Sequence, residues 1–197
     1  MRIIGITGPS GSGKTVLTNR ILARGHACID ADALYHSMLI PPSECLDALR
    51  EKFGSSIFCE DGTLDRGALG AIVFADKEKL ELLNSTVLSI VIGRVRRMIR
   101  ELEKDGVGEV IIDAPTLIES GFDKECDTVI SVIAPKDVRV YRISQRDGIN
   151  TERATARVMA QKDDEFYRAA SHFTLYNNGD LEVFRTHTDE LIEILGL

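Results

Sequence analysis

The most specific chemistry in the chain lies near its start. Gly8-Pro9-Ser10-Gly11-Ser12-Gly13-Lys14-Thr15 satisfies G-x-x-x-x-G-K-[ST] at every fixed position. A strand-like run precedes it and a helical pattern follows, the context in which this string cradles phosphates. The glycines let the backbone curl so that successive N–H groups face phosphate oxygens. The helix beginning near Lys14 adds its positive end. Lys14 is expected to reach the β- and γ-phosphates, and the Thr15 hydroxyl to ligate Mg²⁺. The sequence therefore implies a nucleoside triphosphate ligand. The guanine-reading string N-K-x-D is missing, since its nearest counterpart, Ala134-Pro135-Lys136-Asp137, lacks the Asn. Small size and the lack of repeats argue against a motor or transporter ATPase. A compact small-molecule kinase is the class that remains.

Two acidic strings end apolar runs. Ile29-Asp30-Ala31-Asp32 places two carboxylates just past a short strand, and Val110-Ile111-Ile112-Asp113-Ala114-Pro115 is an apolar strand ending in Asp. In an open parallel sheet, ligands collect beyond the carboxyl ends of the strands. A carboxylate there can orient or deprotonate an acceptor hydroxyl facing the γ-phosphate. Asp32 is the stronger candidate; Asp30 serves equally well as a helix cap. Asp113 fits an acidic residue that supports Mg²⁺ or its waters. Arg142 and Arg146 are four apart and share a helical face. On a lid closing over ATP, such guanidiniums stabilise the transferring phosphoryl group and exclude water. Arg139 and Arg153 are expected to be solvated, with ion pairs to Asp137, Asp147 or Glu152. Arg94, Arg96, Arg97 and Arg100 are read as another solvated basic face.

The elements that must position these groups alternate. Strands are expected at Ile3–Thr7, His26–Ile29, Val110–Ile112, Thr128–Ile133 and Phe173–Leu175, each short, apolar and bounded by polar or Gly/Pro residues. Lys14–Arg24 reads as a helix with Leu17, Ile21 and Leu22 inward. A nearly all-helical insert occupies 33–105. In it Asp65 can cap one helix and Asp76 a long one carrying Leu80, Leu83, Val87, Ile90, Val91, Val95, Met98 and Leu102. A second helical region spans 137–170, and Asp180 can cap a last helix with Phe184, Leu191 and Leu195 inward. The expected fold is α/β: one three-layer P-loop NTPase domain over 1–197, with about five parallel strands, a helical acceptor-binding insert and a helical lid.

Composition sets bounds. With 197 residues, 44% hydrophobic and 28% charged, the chain can bury a full core without staples. The 24 basic against 31 acidic side chains leave a net charge of −7, which argues against a general nucleic-acid or membrane-surface binder. No apolar run approaches the roughly 18 residues of a membrane span. The opening residues enter a strand-like segment rather than a signal peptide. Cys28, Cys45, Cys59 and Cys126 form no C-x-x-C pair and are expected as free, mostly buried thiols in the cytoplasm. They show no zinc spacing with the histidines.

The order of motifs resembles the dephospho-CoA kinase family over nearly the whole chain. It runs from the phosphate loop to Ile29-Asp30-Ala31-Asp32, then Asp61-Gly62-Thr63-Leu64-Asp65-Arg66 with Val73-Phe74-Ala75-Asp76. Asp113-Ala114-Pro115-Thr116-Leu117-Ile118-Glu119 follows, then Arg142 and Arg146 with Gln161, then Asn177. The resemblance implies transfer of the ATP γ-phosphate to the ribose 3′-hydroxyl of dephospho-CoA, giving coenzyme A. It implies that Gly11, Ser12, Gly13, Lys14, Thr15 and Val16 line the ATP phosphates. Asp32 would face the acceptor hydroxyl, and Arg142 and Arg146 would be lid arginines. Asn177 would lie near adenine, and Asp113 and Pro115 between the acceptor and the metal. Three positions depart from the family pattern: Leu88-Ser89 stands where His-Pro is usual, Ser171-His172 where Ala-Asp is common, and His36 where Arg is common. These changes cluster on the acceptor side and the fifth strand. A nucleoside or nucleotide kinase of the same fold is one alternative. A nucleotide-binding regulator with weak or no kinase activity is another, motivated by the missing His-Pro and opposed by the intact Asp32, Arg142 and Arg146. The protein is expected as a monomer or small homo-oligomer.

Overall fold

Five runs rich in Ile and Val form one sheet. In the computed structural model, which describes residues 1–197, they are β1 (Arg2–Thr7), β2 (Ala27–Asp30), β3 (Glu109–Asp113), β4 (Thr128–Ile133) and β5 (Phe173–Tyr176). The spatial order is β2-β3-β1-β4-β5, and every neighbouring pair is parallel. β4 is buried at every position, as expected of a strand covered on both faces. The chain divides into two compact units, Met1–Asp30 with Leu102–Leu197, and Ala31–Glu101. The second unit overlaps the helical insert expected over 33–105.

The first unit holds the sheet. Helix α1 (Lys14–Leu22) follows β1, and the unit's other helices are α6 (Lys136–Asp147), α7 (Thr151–Met159), α8 (Asp164–Ala169) and α9 (Leu181–Leu195). Alternation along β1 sends Ile4 and Ile6 into a core with Leu17 and Ile21 of α1 and Phe184, Leu191, Ile192 and Leu195 of α9. Gly5 points to the opposite face, where a Cβ would lie 2.5 Å from the Leu117 side chain. Arg20 clamps Asp189 across the α1–α9 contact, its Nε donating to Oδ1 at 2.7 Å. Leu22, expected inward, is 45% exposed because α1 ends there and the chain turns off through Ala23–Gly25. All four cysteines are free, but against the expectation of mostly buried thiols only Cys45 is buried: Cys28 and Cys126 are half-buried and Cys59 is exposed.

The second unit carries α2 (Ala31–Ser37), α3 (Glu44–Phe53), α4 (Arg66–Val73) and most of α5 (Lys77–Lys104). Its core gathers Cys45, Leu49, Ile57, Leu69 and Val73 against Leu80, Leu83, Val87 and Ile90 of α5. Asp65 caps α4 through the amides of Gly67 and Ala68, both at 2.9 Å. Asp76 accepts from the amides of Glu78 and Lys79 at 3.0 and 3.3 Å at the start of α5. No helix is long and apolar enough to cross a membrane.

Asp180 caps α9, accepting from the amides of Glu182 and Val183 at 2.9 and 3.2 Å. Losing that cap costs about 1 kcal/mol. Asp180→Ala is expected to lower the melting temperature by roughly 2–4 °C, as read in a thermal scan.

Candidate active site

β1 delivers the glycine loop to the carboxyl edge of the sheet, between β3 and β4. Gly8 turns there at φ 138°, and a Cβ would lie 2.1 Å from the carbonyl oxygen of Val132 in β4. Gly13 begins α1 at φ 103° and ψ 22°, in the left-handed region. A Cβ on it would lie 2.2 Å from Nδ2 of Asn177. Only glycine satisfies both demands at these positions. The Lys14 ammonium donates to the carbonyl of Gly8 at 3.0 Å, so it lies across its own loop. The exposed Thr15 follows in the first turn.

The start of α1 differs from those of most other helices; α6, entered through Pro135, also lacks a side-chain cap but carries Asp137 in its first turn. Ser43, Asp65, Asn150, Asp163 and Asp180 cap α3, α4, α7, α8 and α9 with side-chain oxygens. No side chain caps α1, and its first turn holds no acidic residue. Amides at a helix start need an acceptor, and an anion supplies one together with favourable dipole energy. Ser12 adds a buried hydroxyl with no hydrogen-bond partner. These features fit a triphosphate, with the Thr15 hydroxyl as a hard oxygen donor for its Mg²⁺.

Behind the loop, its carbonyls are held by cations and an amide. Arg139 Nε donates to Ser10 O at 3.0 Å. Arg142 Nη1 donates to the carbonyls of Gly11 and Ser12 at 3.3 and 3.4 Å. Asn177 Nδ2 donates to Ser12 O at 2.8 Å, and its Oδ1 accepts from Arg142 Nη2 at 2.9 Å. Burial holds both guanidiniums below the usual arginine range. Arg139, expected on a solvated face, is 1% exposed. It lies three residues before Arg142 and four before the buried Ile143, hence on their face of α6, and that spacing is the signal that could have placed it. Arg146 is exposed and pairs with Asp147, Nε to Oδ1 at 2.7 Å, with Nη2 3.5 Å from Ser10 Oγ. That pairing raises its pKa. Arg153 is exposed, as expected.

The aspartates at the strand ends lie in register, Asp30 of β2 opposite Asp113 of β3. Thr18 of α1 donates to Asp113 Oδ2 at 2.7 Å and so ties this carboxylate to the loop's own helix. Sequence reasoning missed Thr18, a polar residue beside the apolar Leu17 and Ile21. Burial, with the charges of Asp113 and Asp30, pushes the Cys28 thiol up to about 12, which leaves it protonated and inert. Thr7 Oγ1 donates to Pro115 O at 3.3 Å, joining the turn after β3 to the end of β1. Asp32 is the second residue of α2, in the other compact unit.

A glycine nest between a central parallel strand and an uncapped helix defines a P-loop NTPase fold. A shikimate kinase from Acinetobacter baumannii shares this fold, with a TM-score of 0.54 at 17% identity over 99% of this chain and 93% of that one. The family model for dephospho-CoA kinase matches residues 2–182. A dephospho-CoA kinase from Symbiobacterium thermophilum is 35% identical over 190 residues, 96% of this chain and 79% of that protein. The solved dephospho-CoA kinase from Campylobacter jejuni superposes with a TM-score of 0.72 at 25% identity, over 99% of this chain and 98% of that one. The chain belongs to the dephospho-CoA kinase family.

Gly13→Ala tests the loop geometry. The added methyl meets Asn177 and a left-handed backbone, so ADP affinity is expected to fall at least about 10-fold by calorimetric titration, since small displacements of a positioned group are costly. Thr18→Val removes the donor to Asp113. It is expected to lower turnover while ADP affinity holds; unchanged turnover would take Thr18 out of the site.

Proposed function

We propose that this protein transfers the γ-phosphoryl group of ATP to the ribose 3′-hydroxyl of dephospho-CoA, giving coenzyme A and ADP. The observation that carries the reading is the uncapped glycine cradle at α1, in a chain matched over residues 2–182 by the dephospho-CoA kinase family model. The backbone from Gly11 through Val16 would take the phosphates, with Lys14 on the β- and γ-oxygens. Thr15 would hold the Mg²⁺ that accompanies ATP and offsets phosphate charge. Asn177 and Arg142 would hold the loop from behind through its carbonyls and so support the nucleotide-binding amides. Arg146, exposed on α6, would exchange Asp147 for the phosphates when the helices of 137–170 act as a lid. Asp113 and Pro115 would border the acceptor, and the helical unit over 31–101 would bind it.

Asp32 would accept the 3′-hydroxyl proton as that oxygen attacks the γ-phosphorus. The bond from phosphorus to the bridging oxygen breaks, and ADP leaves with the electron pair. Lys14 and the lid guanidiniums would balance the spreading negative charge, which is most of what such a site contributes. Four free thiols suit a cytoplasmic enzyme.

The decisive experiment is product mass after incubation with ATP, Mg²⁺ and dephospho-CoA, beside a panel of nucleosides and nucleoside monophosphates. One phosphate added to the ribose of dephospho-CoA alone is expected. Transfer only to a nucleoside or nucleotide would replace the acceptor, and ATP binding without transfer to any of them would leave a regulator. Asp32→Ala is expected to keep its melting temperature and lose about 10²-fold or more in turnover, the range of general-base assistance. Lys14→Ala should lose transfer with little change in melting without nucleotide.

A further inference from the structure

Arg139 plays no part in the reading above, yet it is the largest fully buried side chain of the protein. A buried guanidinium is costly unless its donors are satisfied and its charge is balanced. Its two engaged nitrogens face different elements. Nε donates to Ser10 O in the loop at 3.0 Å, and Nη2 donates to Gln161 Oε1 at 2.5 Å. Gln161 lies in the joint between α7 and α8. Asp164, at the start of α8, has a buried Oδ1 with no hydrogen-bond partner, and its charge opposes the loss of the Arg139 proton. The backbone of Arg139 meets the loop too: a Cβ on Gly11 would lie 3.0 Å from its carbonyl oxygen and 3.2 Å from its Cα.

The contact at Ser10 has a directional consequence. The Ser10 carbonyl and the Gly11 N–H belong to one planar peptide and point opposite ways. A donor that holds the carbonyl therefore aims the amide. We propose that Arg139 is a positioning residue for nucleotide binding, a two-ended strut through which the α7–α8 joint fixes the Ser10–Gly11 peptide in its phosphate-accepting orientation. The proposal rests on the reading that this loop binds the nucleotide. A lysine carries the charge but has one compact ammonium in place of the planar fork that spans both acceptors. A methionine fills much of the volume and donates nothing.

The test uses the full-length protein. Arg139→Met, Arg139→Lys, Gln161→Leu and the double variant Arg139→Met/Gln161→Leu are compared for melting without nucleotide, ADP Kd by calorimetry, and kcat and KM for ATP and dephospho-CoA. Arg139→Met is expected to raise the ADP Kd and the ATP KM by about 10- to 100-fold, the scale set by misplacing a binding group, with the KM for dephospho-CoA unchanged. Arg139→Lys should restore only part of that loss. Gln161→Leu should weaken ADP binding by a smaller factor, and the double variant should be no worse than Arg139→Met alone, because the strut is already cut. A folded Arg139→Met with wild-type ADP Kd overturns the proposal, as does full additivity of the two changes. If Arg139→Met fails to fold, Gln161→Leu decides, and an unchanged ADP Kd there overturns it. A wild-type protein that binds ADP but does not phosphorylate dephospho-CoA removes the acceptor assignment and leaves the Kd comparison standing.

Discussion

A peptide unit turned so that its N–H faces an anion turns its C=O the other way. A loop that gathers amides around a phosphate must therefore find partners for the carbonyls it sends into the protein, because a buried carbonyl without a donor is expensive. Ser10, Gly11 and Ser12 meet that demand with Arg139, Arg142 and Asn177. The peptide between Gly11 and Ser12 turns its own N–H onto Pro9 O at 3.2 Å and closes the turn. Arginine suits the task because its rigid fork of donors spans adjacent carbonyls. Two guanidiniums behind the loop also place positive charge where a triphosphate approaches, within surroundings that screen it less than bulk water does.

The sheet makes this arrangement available. With β1 between β3 and β4, the loop leaves the middle of the carboxyl edge. Gly8 lies against the Val132 backbone, Asp113 stands one strand away, and Asp30 lies level with Asp113. Parallel strands end together, so they bring residues far apart in sequence to one edge. Thr18 then fastens that edge to α1 through Asp113, and α9 holds α1 from the other side through Arg20 and Asp189. Asp189, drawn below the usual carboxylate range by Arg20, stays ionised and keeps the clamp closed over the neutral range.

What was legible in the sequence divides along physical lines. The strands, the loop and the caps at Asp65, Asp76 and Asp180 are local or periodic features, and each appears where expected, with bounds shifted by a residue or so. Leu22 shows the limit of periodicity: it lies on the apolar stripe, but the helix stops at it, and helix ends depend on what the next residues do. Arg139 shows a deeper limit. In a sequence the partner to expect for a cation is a carboxylate, because acidic side chains have letters. Its hydrogen-bond partners are a backbone carbonyl and an amide side chain, and a backbone carbonyl has no letter of its own. Thr18 escaped for a related reason, since its acceptor lies 95 positions away along the chain.

The departures from the family pattern follow from the same division. A phosphate cradle made of backbone tolerates change in most side chains as long as the glycines and the donors behind the loop persist. Under the proposed function, acceptor binding would depend on side chains of the helical unit, where the departures from the family pattern at His36 and Leu88-Ser89 fall. Ser89 stands where proline is usual, and α5 runs unbroken from Lys77 to Lys104 through that point. A proline in a helix interior removes an N–H and collides with the preceding turn, bending or breaking the helix. With serine the hydrogen-bond ladder continues, so Val91, Val95 and Ile99 remain buried on one face of a single long helix. A proline at that position would alter the path of α5, and any acceptor surface on α5 would follow from that path. Under the proposed function, nucleotide use and acceptor choice would therefore be separable properties, the first carried by main-chain geometry and the second by the course and side chains of the helical unit.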